Sequence, residues 1–298
     1  MNLARYKELI CKTANAYTFK KINQDLSFEN IETCGKRICF LRHDIDFSPT
    51  SALKMAEIEA EHGVISTFTI LLSGQWYSPF EKKTKDLLRE IKNYDHEIGL
   101  HFDPTAYEIS IESQLDAFVS KEASILEDLM QTRIEMFSFH NTTDFSMSCR
   151  SESYGGLVNA YSNFFHNDVE YTSDSLGYWR FRTWEELLLE GHNIIQVLTH
   201  PIWWKEGGTL PPFETVVQNC LERYRNQVSD WTKVFDRQDV GLNKSAISKM
   251  LNNILEKNDA SMMNSYSEFP SLIESLLINL SNCREIDLDN IVREFLKK

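Results

Sequence analysis

The sequence has no excess of basic residues and no long apolar run. The first absence argues against a nucleic-acid-binding protein, and the second argues against a membrane-spanning one. It contains 31 Lys and Arg against 44 Asp and Glu, which gives a net charge of −13 at pH 7. A protein that binds a nucleic-acid backbone normally carries a basic patch, so we expect no nucleic-acid partner. No stretch approaches the ~20 apolar residues of a membrane-spanning helix. The first residues also lack the charged-then-apolar order of a signal peptide, so we expect a cytoplasmic protein without a membrane span.

Cysteine pairs and nucleotide-binding loops are absent as well. The six cysteines form no C-x-x-C pair, and in a cytoplasmic protein we expect them to be reduced thiols. Neither G-x-G-x-x-G nor G-x-x-x-x-G-K-[ST] follows the first predicted strand. A nucleotide-binding fold therefore lacks its usual support.

Short apolar runs alternate with helical patterns between residues 37 and 204. Strands that alternate with helices indicate βαβ units and a parallel sheet. An open doubly wound sheet and a closed barrel both fit this order. The predicted strands are 38–41, 64–72, 97–101, 134–139 and 194–198, and the predicted helices are 51–62, 80–94, 111–130 and 183–190.

After Pro211 and Pro212 the apolar pattern becomes purely helical. Helices are predicted at 213–231, 244–257, 266–280 and 288–297. We therefore predict an α/β domain over residues 1–205 and a helical C-terminal extension over residues 206–298. The sequence predicts neither a role for this extension nor an oligomeric state.

Chemically active side chains follow four of the predicted strands. Asp44 and Asp46 follow the first strand, and His101, His140 and His200 stand at the ends of later ones. The carboxyl ends of parallel strands share one face of the fold, so we expect these residues to meet in space. Histidine and carboxylate groups suit zinc or another first-row divalent ion.

Asp44 and Asp46 are two positions apart, so on a strand their side chains point the same way. Two adjacent carboxylates repel unless a cation or a proton lies between them, so one can bind a metal while the other acts as a base. The alternative is two solvated aspartates that cap the next helix. The equivalent positions of His101 and His140 favour the metal.

His96 and His101 resemble the zinc-protease motif H-E-x-x-H, but their spacing is one residue too long. On a strand, an odd separation puts the two rings on opposite faces. We therefore favour His101 as a ligand and His96 as a structural residue. Asp103 shares the strand parity of His101 and is a further candidate ligand.

Three segments resemble motifs of the polysaccharide deacetylase superfamily, carbohydrate esterase family four. They are RHDID at 42–46, DHEIGLH at 95–101 and LTH at 198–200. The resemblance covers about residues 41–204 and implies a distorted (β/α) barrel of the polysaccharide deacetylase type. It also implies that Asp44 is the catalytic base, that Asp46 and His101 bind the metal, and that His200 is the general acid. The first and last motifs look like those of a bacterial subgroup associated with surface-polysaccharide synthesis.

Two departures from the family pattern change the expected site. The family has a second ligand histidine four residues after the first, where this sequence has Thr105. We propose His140 as the replacement ligand, with Asp103 in reserve. The family's Arg-x-Pro-Tyr motif, whose arginine supports the base, is also missing. Arg42 is a possible substitute for that arginine and is also a candidate for binding the substrate.

Four further residues are candidates for substrate binding. Trp179, Trp203 and Trp204 are candidate sugar-stacking platforms, although core or rim packing explains them equally well. Asp174 is a candidate for orienting the substrate or a catalytic side chain, and a role in a loop turn is the alternative.

Together these features predict a metal-dependent hydrolase that removes an N-acetyl group from a sugar or glycoconjugate, with Zn²⁺ as the favoured ion. Two alternatives remain open. One is another C–N hydrolase on the same scaffold, such as a deformylase or cyclic amidase. The other is a carbohydrate-binding relative that has lost its activity, which the missing second histidine would favour.

Overall fold

A computed structural model describes residues 1–24 and 36–237 of the chain. The chain divides into two compact units, Met1–Asn219 and Cys220–Lys298. The predicted helices at 244–257, 266–280 and 288–297 lie outside the described residues, as do Cys34 and Cys283. The predicted boundary between residues 205 and 206 stays a prediction.

Helices and strands alternate along the first unit, as the apolar pattern predicts. The strands are β1 Thr18–Phe19, β2 Ile38–Ile45, β3 Thr67–Leu71, β4 Glu97–Phe102, β5 Met136–Phe139, β6 Ser153–Tyr154, β7 Leu157–Asn159, β8 Glu170–Ser173 and β9 Ile194–Thr199. The α-helices are α1 Leu3–Ala16, α2 Pro49–Glu61, α3 Lys82–Asn93, α4 Leu115–Met130, α5 Asp144–Ser148, α6 Asn163–Asn167, α7 Trp184–Glu190 and α8 Pro212–Arg237. Short 3-10 turns cover Pro104–Tyr107, Glu112–Gln114, Ser175–Gly177 and Pro201–Trp203.

The strands form one curled sheet in the order β6-β7-β5-β4-β3-β2-β9-β8, and β1 pairs with the start of β2. Each pair is parallel except β6 with β7. The edge strands β6 and β8 do not pair with each other, so the sheet curls without closing. The predicted distorted (β/α) barrel is confirmed. An open doubly wound sheet, which the strand order alone allowed, is not formed.

The register of the strands decides which side chains face the inside of the barrel. Arg42 lies opposite Thr67 on β3, and Asp44 lies opposite Thr69. Side chains alternate between the two faces of a strand, so positions 42 and 44 share the inner face. On β4, Gly99 lies opposite Thr69, and a Cβ on Gly99 would lie 3.1 Å from Thr69 Cγ2 and closer still to the Met136 sulfur. Glycine therefore leaves room for Thr69 and Met136 on the inner face of the curled sheet.

Apolar residues fill the barrel floor and the layers outside the sheet. On the floor, Phe40 and Met136 pack with Ile22, Phe164 and Phe165. Outside, α2, α3 and α4 cover one part of the sheet, and α1 and α7 cover the part near β9. The polar inner positions lie towards the carboxyl ends of the strands, above this floor.

Helix α2 begins at a serine cap. The Ser51 backbone N–H donates to Ser48 Oγ at 3.2 Å, and Pro49 occupies the first turn. An N-cap serine satisfies a backbone donor that the helix cannot, and proline fits the first helical position. This cap stands two residues after Asp46 and turns the chain from the end of β2 directly into α2.

Glu122 on α4 is 1% exposed and carries the clearest pH dependence of stability outside the site. Burial raises the pKa of its carboxyl to about 7, although the Tyr107 hydroxyl, which donates to Oε1 at 2.6 Å, opposes this shift. The folded state then binds the proton more tightly than the unfolded state between about pH 4.5 and 7. Stability from this proton is present below about pH 4.5 and is lost as the pH rises through 7.

We expect the wild type to lose up to about 3 kcal/mol of unfolding free energy relative to Glu122→Gln between pH 4.5 and 7.5. Urea denaturation of the metal-free proteins across this range measures the difference. Asp128→Asn, at an exposed carboxyl on the same helix, is the control. A Glu122→Gln difference that does not change with pH would contradict the assignment.

Within the described residues, none of the helices combines the length and apolar character needed to cross a membrane.

Candidate metal centre and active site

The carboxyl edge of the sheet brings together the five residues that the sequence singles out. Asp44 lies in β2 and Asp46 follows it, His101 lies in β4, and His140 and His200 follow β5 and β9. The Asp46 backbone N–H donates to the Asp44 carbonyl at 3.1 Å, which bends the chain at this edge. The His140 N–H donates to the Phe102 carbonyl at 2.8 Å and extends the β4–β5 ladder by one residue.

Asp46, His101 and His140 form a compact group of possible metal ligands. Asp46 Oδ1 lies 3.1 Å from His101 Nε2 and 3.5 Å from His140 Nδ1, and the two nitrogens are 3.2 Å apart. It is the one cluster of this kind among residues 1–24 and 36–237. A tetrahedral ion with bonds of about 2.0–2.2 Å holds its ligand atoms about 3.3–3.6 Å apart. The three atoms are therefore close to the spacing that such an ion requires.

The donor chemistry of these three atoms also fits a divalent ion. Asp46 Oδ1 is buried and accepts no hydrogen bond from the residues that the structure describes, and an unpaired buried carboxylate oxygen is costly unless a cation compensates it. Burial raises the pKa of Asp46, but the nearby imidazoles of His101 and His140 outweigh it and keep the pKa well below its usual range. The carboxylate is thus ionised and ready to bind a cation.

His140, and not Asp103, completes the group. The Asp103 Oδ1 atom accepts hydrogen bonds from Thr105 N at 2.9 Å and Thr105 Oγ1 at 2.6 Å. Asp103 thereby caps the short turn Pro104–Tyr107. Thr105 stands where a second ligand histidine was expected. Its hydrogen bonds hold the carboxylate of Asp103, the other candidate for the third ligand.

Asp44 is held by three side chains. Arg42 donates from Nε to Oδ1 at 3.0 Å and from Nη2 to Oδ2 at 3.3 Å. Thr69 Oγ1 donates to Oδ1 at 2.7 Å, and Ser138 Oγ donates to the same oxygen at 3.3 Å. Oδ1 therefore has three donors and Oδ2 only one. Oδ2 also lies 3.8 Å from His101 Nε2, on the side of the ligand group.

The surroundings of Asp44 favour its negatively charged form. Burial raises the pKa of its carboxyl, but Arg42, His101 and His200 outweigh that effect and place the pKa below its usual range. Arg42 is itself 1% exposed, and its guanidinium lies 5.3 Å from the centre of the Tyr161 ring. Arg42 therefore contacts the aspartate from inside the barrel, where the sequence suggested either support of the base or contact with substrate.

His200 lies beside the ligand group, next to Asp46. Its Nε2 is 3.8 Å from Asp46 Oδ2, and its Nδ1 is 2.7 Å from Asp174 Oδ1. The His200 backbone N–H also donates to Asp174 Oδ1 at 2.9 Å, and Trp204 Nε1 donates to Oδ2 at 2.8 Å. Burial lowers the pKa of His200, but Asp174 outweighs it and raises the pKa to about 9. The imidazole therefore keeps its proton at neutral pH.

The candidate substrate-binding residues differ in their burial and in their contacts. Asp174 is fully buried and orients His200, one of the two roles suggested for it. Trp203 and Trp204 are 5% and 2% exposed and lie in the core near α1 and α7. This is the packing role that the sequence offered as the alternative, and it leaves no ring face free to stack on a sugar. Trp179 is partly buried with its ring centre 6.4 Å from that of Trp204.

His43 and His96 point away from this site. Both contact Glu59 on the outer side of the sheet, with His43 Nε2 3.0 Å and His96 Nδ1 3.6 Å from its carboxylate. His43 Nδ1 also lies 2.7 Å from Thr199 Oγ1. The opposite faces predicted for His96 and His101 agree with this placement.

Two site residues were not recognised from the sequence, Thr69 and Ser138. Both are fully buried hydroxyl residues on inner positions of their strands. Ser138 stands two residues before His140, and this i, i+2 spacing is the one signal that could have identified it. Thr69 has no such signal, because only the register of β3 against β2 places it beside Asp44.

Comparison with known proteins shows a likeness to solved structures. The sequence matches no model of a protein family and no curated protein. The solved structures that match include family 4 esterases and two deacetylases.

Three of these structures show the level of similarity. A family 4 carbohydrate esterase from Bacillus anthracis is 14% identical over 74% of this chain and 86% of its own, with a TM-score of 0.39. The deacetylase PplD of Streptococcus pyogenes is 12% identical over 48% of this chain and 66% of its own, with a TM-score of 0.35. A CE4 family pseudoenzyme from Bacillus anthracis is 14% identical over 65% of this chain and 62% of its own, with a TM-score of 0.35. This chain therefore spans slightly less than two thirds of the length of PplD and of the pseudoenzyme. The function of this chain thus depends on the chemistry of its own site residues.

Proposed function

We propose that this protein is a metal-dependent deacetylase that hydrolyses the N-acetyl group of a sugar or glycoconjugate. One observation carries the proposal. A carboxylate, Asp44, and a carboxylate-paired imidazole, His200, both lie beside the ligand group, each 3.8 Å from one of its members. Amide hydrolysis needs this combination, because it must activate water, stabilise an oxyanion and protonate a poor leaving group.

The three ligand residues would hold the ion, with Asp46 supplying the negative charge and His101 and His140 supplying neutral nitrogens. When bound there, a divalent ion supplies Lewis-acid chemistry, polarising a carbonyl and lowering the pKa of a water molecule. Zinc fits the mixed nitrogen and oxygen ligands and their spacing, and other first-row ions share this preference.

Asp44 acts as the general base through Oδ2, the oxygen that its donors leave less occupied. It takes one proton from the attacking water as the new C–O bond forms. Arg42 and Thr69 keep the carboxylate ionised and fixed in place, so no reorientation is needed at that step.

His200 acts as the general acid through Nε2. Asp174 holds Nδ1 and keeps the ring protonated at neutral pH. When the C–N bond breaks, Nε2 donates its proton to the leaving nitrogen. The products are a free amino group on the sugar and acetic acid, which ionises in water to acetate. One proton of the attacking water passes to Asp44, the other stays on the new carboxyl group until it ionises, and His200 supplies the proton of the amine.

The substrate we propose is an N-acetylated sugar available in the cytoplasm, carried on a nucleotide or a lipid, and a role in surface-polysaccharide synthesis fits it. The test is acetate release from N-acetylated monosaccharides, oligosaccharides and nucleotide-linked sugars by the full chain. Activity should vanish with a chelator and return with added Zn²⁺. A protein that binds zinc but releases acetate from none of these compounds would contradict the proposal and favour the other C–N hydrolases or an inactive relative.

A further inference from the structure

Ser138 joins the ligand group to the base, although no motif marks it. It is fully buried on β5 and lies opposite His101 in the register of β4 with β5. Its Oγ is 2.8 Å from His101 Nδ1 and 3.3 Å from Asp44 Oδ1. A serine hydroxyl can donate one hydrogen bond and accept others.

The neighbours of Ser138 decide the direction of these hydrogen bonds. Asp44 Oδ1 already accepts from Arg42 Nε and Thr69 Oγ1, so it also faces Ser138 as an acceptor. The hydroxyl proton therefore points to Asp44 Oδ1 at 3.3 Å, with Thr69 Oγ1 at 3.4 Å as the other acceptor within reach. The hydroxyl oxygen is then the acceptor for His101, which must carry its proton on Nδ1. A neutral imidazole has one protonated nitrogen, so Nε2 of His101 keeps a lone pair directed at the ligand group.

We propose that Ser138 is a positioning residue that selects the metal-binding tautomer of His101 and ties that histidine to Asp44. The inference deepens the proposed function, since it rests on the same metal site. The Ser138 hydroxyl then contacts both the ligand His101 and the proposed base Asp44.

The competing tautomer shows why this matters. With the proton on Nε2, His101 would donate to Asp46 Oδ1, which is 3.1 Å away. That hydrogen bond would occupy two ligand atoms at once, and an incoming ion would have to displace the proton. Loss of the Ser138 hydroxyl removes the acceptor from Nδ1 and therefore favours the tautomer that cannot bind metal.

Ser138→Ala is the direct test. We expect its affinity for Zn²⁺ to fall by about tenfold or more, because outer hydrogen-bond partners of ligand histidines typically contribute 10–100-fold. The measurement is competition with a chromophoric zinc chelator on full-length, metal-stripped protein. In ¹⁵N spectra of the metal-free protein, His101 should carry its proton on Nδ1 in the wild type and shift towards Nε2 in the variant.

Ser162→Ala is the matched control, since Ser162 is also fully buried and its hydroxyl has no hydrogen-bond partner among residues 1–24 and 36–237. Its zinc affinity should remain within about twofold of the wild type. The proposal is overturned if Ser138→Ala binds zinc as tightly as the wild type, if Ser162→Ala loses as much affinity, or if the wild type binds no zinc. Acetate release by the zinc-loaded wild type is measured separately. Its absence would overturn the proposed deacetylase activity and leave the zinc result to decide the role of Ser138.

Discussion

Replacing Asp44 with asparagine is expected to lower the rate of acetate release by about a thousandfold or more while metal remains bound. A positioned general base typically contributes 10²–10⁴-fold. Asparagine keeps the size of the side chain but cannot take a proton from water. Asp44 is not one of the three residues of the ligand group. The substitution should therefore change the zinc affinity much less than the rate of acetate release.

Zinc content and kcat measured on the same preparation separate these two effects. Asp103→Asn is the control, because this carboxylate also stands at the end of a strand near the site but binds Thr105 instead. It should keep both zinc and most of the activity. An Asp44→Asn protein with the wild-type rate would show that another group takes the proton.

Replacing His140 with alanine is expected to weaken zinc binding by more than about 100-fold. A direct ligand should contribute more than the 10–100-fold typical of an outer partner. Only Asp46 and His101 would then remain, and two protein ligands are fewer than the three of a catalytic zinc site. Activity should fall with zinc occupancy and return in part at high zinc concentration.

Asp103→Ala distinguishes the two candidates for the third ligand. If His140 is the ligand, Asp103→Ala should keep its zinc affinity within a few-fold of the wild type. The reverse result, with zinc lost from Asp103→Ala and retained by His140→Ala, would require Asp103 to release Thr105 and turn towards the ion. Titration of both metal-stripped variants with zinc decides between these outcomes.

The parallel sheet and the edge that carries the site could be predicted because both are properties of local sequence. Apolar runs followed by Asp44, His101 and His200 identify strand ends, and parallel strands expose those ends on one face. The capping serine of α2 was likewise predictable, because Ser48 and Pro49 act within one helical turn. The opposite placement of His96 and His101 followed from strand parity alone.

The choice of the third ligand was not a local property. His140 and Asp103 both follow strands, and the sequence allows either. The extra hydrogen bond from His140 N to the Phe102 carbonyl and the capture of Asp103 by Thr105 are what separate them. Both depend on how two neighbouring strands end relative to each other.

The roles of the buried polar residues were also decided by tertiary contacts. Arg42 was assigned to substrate binding or to support of the base, and its position beside Asp44 is set by the inner face of the barrel. Trp204 was a candidate for sugar stacking, but it lies in the core and donates to Asp174. Ser138 received no role at all, because its partners come from β2 and β4.

By itself, the sequence determined the class of fold, the edge of the sheet that carries the chemistry, and four of the residues that meet there. These depend on periodicity and on strand ends, which act over a few residues. The tertiary structure alone decided that His140 joins Asp46 and His101, that Thr69 and Ser138 hold Asp44, and that Asp174 holds His200. The physical reason is that each of these contacts joins strands whose register and curvature are set by packing of the whole barrel.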